Sequence, residues 1–127
     1  MTDNGNGSRQ DSCEQNLNDL PPHERIRVLN DRFRQTGQGG TIIITRGIEA
    51  LKPYIKHRII QAIKGIDKFT PDNDPYGLHD FGSVKIETYV VFWKIDCYDL
   101  DLIGRSPDES DPAVTRRIMT IMLAEEY

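Results

Sequence analysis

The sequence predicts an α+β domain: a small, mostly antiparallel sheet with helices packed on it, in the chain order α-β-α-β-β-α. Three observations predict it. Two stretches, near 21–36 and 53–66, carry apolar residues at helical spacing. Two consecutive strand-like runs, "FGSVKIE" and "TYVVFWKID", meet near Glu87 and Thr88 as a β-hairpin. Finally, Asp111-Pro112 precedes an apolar run in the manner of a helix start.

Residues 1–20 are rich in Asn, Asp, Gly, Ser and Gln, so they are expected to form a disordered polar tail, and 21–127 a single domain. The first helix should run from about Pro21 to Thr36. Asp19 is placed to cap it, and Ile26, Leu29 and Phe33 form its apolar stripe. Arg25, Arg27, Arg32 and Arg34 largely cover the rest, and "TGQGG" stops it. "TIIIT", Thr41 to Thr45, is β-branched and bounded by Gly40 and Gly47, so a buried strand is expected. A short helical turn over Arg46 to Lys52 leads to Pro53, which opens the next helix. There Ile55, Ile59, Ala62, Ile63 and Ile66 give the clearest helical periodicity in the chain. In the hairpin's second strand Tyr89, Val91, Trp93 and Ile95 point one way, and Val90, Phe92 and Lys94 the other. Both faces are apolar, which predicts a central strand covered on both sides. The final helix is expected from Pro112 to the C-terminus, with Val114, Ile118, Ile121 and Met122 inward.

The chain has 127 residues, 37% hydrophobic and 28% charged, with a net charge of -4. No apolar run approaches the roughly eighteen residues of a membrane span, and the first twenty have no apolar segment of the signal-peptide kind. A cytoplasmic protein without membrane association is therefore expected. The two cysteines, Cys13 and Cys97, lack CxxC spacing and are expected to be unpaired thiols. The net charge conceals an asymmetry. Residues 23–68 carry ten bases and four acids, whereas 69–111 carry three bases and ten acids. Either the two halves attract each other within the fold, or they face charged partners.

The chemistry concentrates in "FTPDNDPYGLHDFG", Phe69 to Gly82. "DNDPYG" matches a calcium EF-hand loop at Asp72, Asp74 and Gly77, but Tyr76 and Ser83 stand at its fifth and twelfth positions. The bidentate carboxylate is missing, and the EF-hand fails. "DFG", without HRD or a glycine-rich loop, is not a kinase triplet. Asp72, Asp74, His79 and Asp80 nonetheless precede one strand of the hairpin, and Asp96, Asp99 and Asp101 follow the other. These seven form a candidate acidic cluster. Asp72, Asp74, His79, Asp80 and Asp96 could supply the oxygen-rich ligand set of Mg²⁺ or Mn²⁺, for metal-dependent hydrolysis. The plainer alternative is that Asp and Asn before Pro or Gly form turns by bonding their own backbone. Trp93 reads as core rather than a base-stacking platform. Arg25, Arg32, Lys56 and Lys64 are the candidates for tracking a phosphate backbone, though nucleic acid is the less favoured partner. His23 and His57 suggest no ligand set. With a highly acidic segment and no complete catalytic motif, the leading expectation is a non-enzymatic interaction protein whose acidic loops engage a basic protein partner. A metal-dependent hydrolase or nuclease and a DNA-binding accessory protein are the alternatives.

"RIRVLNDRFRQTGQGGTIIITRGI", "FTPDNDPYGLHDFG", "VFWKIDCYDLDL" and "SPDESDPAVTRRIMTIMLAEEY" together resemble a family of small bacterial proteins. That family is catalogued as domain of unknown function 3768 (DUF3768). The resemblance spans about residues 24–127. Its typical runs are F-T-x-D-N-D-P-x-G-x-H-D-F-G and F-W-K-I-D-Y-Y-D-x-D. Phe69–Gly82 fits the first, and Phe92–Asp101 fits the second except at Cys97, where tyrosine is usual, which argues against chemistry at that position. The resemblance implies no reaction, substrate or catalytic residue. The plasmid and mobile-element setting of many members implies an accessory role.

Overall fold

A computed structural model describes residues 17–127. Most of the expected polar tail, with Cys13, lies outside the described residues, whereas Leu17–Asp19 forms a single 3-10 turn. Helix α1 spans Pro22–Thr36. Its N-cap position is Pro21, which has no side-chain oxygen to offer, so Asp19 does not stand at the cap position expected of it. It ends at Gly37, whose positive φ of 78° lets its N–H reach the carbonyl of Phe33. Strand β1, Gly40–Ile44, leads through the short helix α2, Arg46–Glu49, to α3, Pro53–Lys64. Strands β2, Phe81–Ile86, and β3, Tyr89–Tyr98, form the expected hairpin. Its tight turn places Glu87 at a φ of 55°.

The expected last helix is a strand. Asp111 does cap: its carboxylate accepts the N–H of Ala113, and Pro112 follows at the first position. However, the helix is a single 3-10 turn, Pro112–Val114, and Arg116–Leu123 continues as β4. Arg117, Met119 and Ile121 are buried in alternation, which is strand periodicity. β4 is also held from both sides, antiparallel to β3 and parallel to β1, in the sheet order β1-β4-β3-β2. A strand wedged between two ladders satisfies both backbone edges and overrides its own helix-start signal. The α+β class holds, with a mixed sheet and the order α-β-α-α-β-β-β.

One face of the sheet packs against the helices. Val91, Trp93, Ile95, Met119 and Ile121 meet Phe33, Ile48, Ile55, Ile59 and Ile63 in one core. Trp93 is fully buried there. β3 is central, as expected, but its second face is only partly covered. Val90 is exposed, and Phe92 stands with Phe81 and the C-terminal Tyr127 at ring separations of 5.5–5.8 Å. β1 is an edge strand and not the buried one expected. Ile42 packs against the core from one face, whereas Ile43, on the opposite face, is 47% exposed.

Candidate functional site

The segment from Phe69 to Asp80 is first a docked loop. Thr70 and Asn73 exchange backbone-to-side-chain hydrogen bonds at 3.0 and 3.4 Å, and the Asp74 N–H reaches the Thr70 carbonyl at 2.8 Å. The buried carboxylate of Asp74 then accepts the backbone N–H of His79 at 3.2 Å. These are the self-bonding turns that Asp and Asn make beside Pro and Gly. His79 has a φ of 56°, a region a non-glycine residue enters only when its surroundings over-determine it.

Those surroundings come from α1. The imidazole Nδ1 of His79 lies 2.8 and 3.0 Å from the two carboxylate oxygens of Asp31. Its Nε2 is 3.5 Å from Asp74, and its ring stacks on Phe69 with centroids 3.7 Å apart. Asp31 also receives Nη1 of Arg34 at 2.9 Å. Arg34 is 1% exposed rather than a solvent-facing base. It donates to the carbonyls of Ile63 and Ile66, which closes the end of α3, and its guanidinium lies over both the Phe69 and Trp93 rings, at 5.3 and 5.4 Å from their centroids. Asn30 completes the dock. Its amide N–H donates to the Leu78 carbonyl at 2.9 Å, and its side-chain oxygen accepts from the buried Arg117 on β4 at 2.8 Å.

Beyond His79 the chain turns into a second environment. Asp80, Asp96 and Glu109 line one cavity of about 360 Å³, with Asn30, Cys97 and Arg105 in its walls. Burial pushes the Asp80 carboxyl above the ordinary carboxylate value, its own backbone N–H partly offsets this, and Asp74, Glu109 and Asp96 add to the rise. Asp96 is matched by Lys94 at 3.3 Å and Glu109 by Arg105 at 3.3 Å. No basic side chain pairs with Asp80 among the described residues. Burial also raises the Cys97 thiol to about 11, so it is a neutral wall at physiological pH rather than a nucleophile.

The seven acidic-cluster candidates thus separate. Asp74 and His79 hold the loop to α1, whereas Asp80 and Asp96 face the acid-lined cavity. Asp72 is exposed at the loop surface. Asp99 accepts the backbone N–H groups of Ile103 and Gly104, which shapes the loop after β3, and Asp101 lies exposed on that loop. Among the described residues no group of three His, Cys, Asp or Glu stands where it could hold a metal ion. The expected Mg²⁺ or Mn²⁺ ligands are divided between two environments and do not form one donor set. Of the phosphate-tracking candidates, Lys56 is engaged with Glu49 at 3.5 Å. Sequence reasoning missed Asn30, Asp31 and Arg34 because polar residues on a helix read as its solvent face. Glu109 was hidden in a polar connection, although it lay in the same acidic segment.

The family model described as "Protein of unknown function (DUF3768)" matches residues 44–126, and the chain belongs to that family. Neither the curated proteins nor the solved structures yield a match.

Proposed function

We propose that this member of the DUF3768 family is a non-enzymatic interaction protein whose acid-lined cavity receives a basic side chain of a protein partner. One observation carries the reading: Asp80, Asp96 and Glu109 converge on one cavity whose one basic lining residue, Arg105, pairs with Glu109, and Asp80 has no ion-pair partner among the described residues. A half-buried carboxylate that is costly to keep ionised gains most when a lysine or arginine is delivered to it. The bases Lys94 and Arg105 already pair with Asp96 and Glu109, and both bases are solvent-exposed, so an incoming guanidinium would share or displace partners of little energetic weight. A rigid loop, docked by Asp31, Asn30 and Arg34, would hold Asp80 in place beforehand and lower the ordering cost of association. Described helices include none long and apolar enough to cross a membrane. A cytoplasmic accessory role, in the plasmid setting that the family resemblance implies, is part of the same proposal.

Titration of the full chain with a short arginine-containing peptide tests it. Binding is expected to weaken with added salt and to fall about tenfold or more in Asp80→Asn, the scale of losing one partly buried charge contact. Equal affinity in wild type and Asp80→Asn would sink the assignment.

A further inference from the structure

β1 pairs with β4 alone, so one of its backbone edges is open. Along such a strand alternate residues turn their backbone groups to opposite sides. The Thr45 N–H reaches the Ile121 carbonyl of β4 at 3.1 Å. Thr41 and Ile43 therefore face β4 as well, and the N–H and C=O groups of Ile42 and Ile44 face outward. No hydrogen bond meets those outward groups among the described residues. Sheet edges are ordinarily blunted by a charge, a proline or a bulge. The opposite edge strand, β2, carries the exposed Lys85, whereas β1 holds only glycine, threonine and isoleucine. Ile43 and Ile44 are both exposed, on opposite faces. An element laid on one face would cover one of them, and a strand added at the edge covers both.

The sequence at this edge is a palindrome. Thr41-Ile42-Ile43-Ile44-Thr45 reads the same in both directions, and Thr45, just past the strand's end, is still extended. Two antiparallel copies related by a two-fold axis at Ile43 set Ile43 against Ile43, Ile42 against Ile44 and Thr41 against Thr45. That register suits the backbone. Ile42 and Ile44 exchange their outward N–H and C=O groups, and the two Ile43 residues form a close, non-hydrogen-bonded pair. β-branched side chains pack well against such cross-strand neighbours. No like charges meet, because the nearest base, Arg46, falls opposite Gly40. We infer that the chain forms a symmetric dimer in which β1 pairs antiparallel with β1 of a second copy, so that one sheet runs through both. The contact uses the same open edge on each copy, so it closes at two.

Sedimentation of the full chain over a concentration series tests the dimer, and cysteine cross-linking tests its register. A reversible dimer is expected below about 1 mM. In a Cys13→Ser, Cys97→Ser background, Ile43→Cys should oxidise to a covalent dimer. A non-hydrogen-bonded pair holds its Cα atoms about 4.5 Å apart, within disulfide reach. Ile43 is exposed, so its replacement leaves the core intact. Thr41→Cys should not cross-link, because its two copies would stand roughly 14 Å apart along the strands. Where about nine-tenths of the chains are paired, exchange of the Ile42 and Ile44 N–H groups should slow about tenfold relative to the dilute chain. A chain that stays monomeric up to about 1 mM would overturn the inference. So would a dimer in which Thr41→Cys cross-links as readily as Ile43→Cys, or one that leaves the Ile42 and Ile44 exchange unchanged.

Discussion

Asp31 is the residue on which the loop assembly turns. A single carboxylate bridges the 1%-exposed guanidinium of Arg34 and the imidazole of His79, and so joins α1 to the loop that leads into β2. Replacement by Asn keeps the shape but removes the charge that balances Arg34. Removing one partner of a buried, hydrogen-bonded charge costs far more than the pair contributes net. Asp31 itself is partly exposed, so water offsets part of the loss. Asp31→Asn should lower unfolding free energy by roughly 1–3 kcal/mol in urea titration, and should raise hydrogen exchange of the His79 N–H. A change within a few tenths of a kcal/mol would mean that water serves Arg34 equally well. In sequence, Asp31 read as one more polar residue among four arginines of α1. Spacing along a helix reveals which residues share its face, but not that an arginine on the inner face finds two carbonyls and two aromatic rings. Asp74 was legible from sequence alone, because Asp before Pro forms its turn from local bonds.

At the scale of elements, α3 and the hairpin were readable because their periods are unmixed. Ile55, Ile59 and Ile63 are the buried residues of α3, and Val91, Trp93 and Ile95 those of β3. β4 was not, because Val114, Ile118, Ile121 and Met122 also satisfy a helical spacing, and its first inward position holds a charge. Arg117, 3% exposed, breaks the alternation that Met119 and Ile121 continue. The two readings part at residue 118, which a helix would bury with Ile121 and the strand turns to the opposite face. Ile121→Ala should therefore destabilise by roughly 2–5 kcal/mol, the range for a fully buried isoleucine. Ile118→Ala should cost less than half as much. Equal losses in guanidinium titrations would favour the helical packing. The C-terminus then secures this order of strands. The carboxylate of Glu126 accepts the Thr45 hydroxyl at 2.6 Å, and the N–H groups of Gly47 and Leu123 at 2.9 Å each. A Cβ at Gly47 would fall within 2.6–2.8 Å of that carboxyl, so a larger residue there would push the Glu126 carboxylate aside.

Across the whole molecule the charge asymmetry of the chain is only partly neutralised internally. Arg58–Glu87 joins the basic and acidic segments, while Asp80 shares its cavity with Asp96, Glu109 and Arg105 and has no ion-pair partner among the described residues. This leaves two carboxylates pulling stability in opposite directions as pH changes. Glu126 is held below its ordinary value by the Thr45 hydroxyl and by the backbone N–H groups it accepts. Its contribution is present above the unfolded value of 4.5 and is lost as pH falls through the depressed folded value. Asp80 is held above its ordinary value by burial, so keeping it ionised costs stability at neutral pH. That cost is relieved as pH falls through the raised folded value toward 3.8. Glu126→Gln should consequently be less stable than wild type at neutral pH, and Asp80→Asn more stable. Both differences should shrink toward zero under acid, the Asp80→Asn surplus at the higher pH, because its folded value lies above the ordinary range and that of Glu126 below it. Urea midpoints for the three proteins across a pH series from neutral to about pH 2, below the ordinary carboxylate values, measure this. An Asp80→Asn that is less stable than wild type at neutral pH would show that the carboxylate is satisfied where it stands. The acid-lined cavity would then have no charge left to offer a partner.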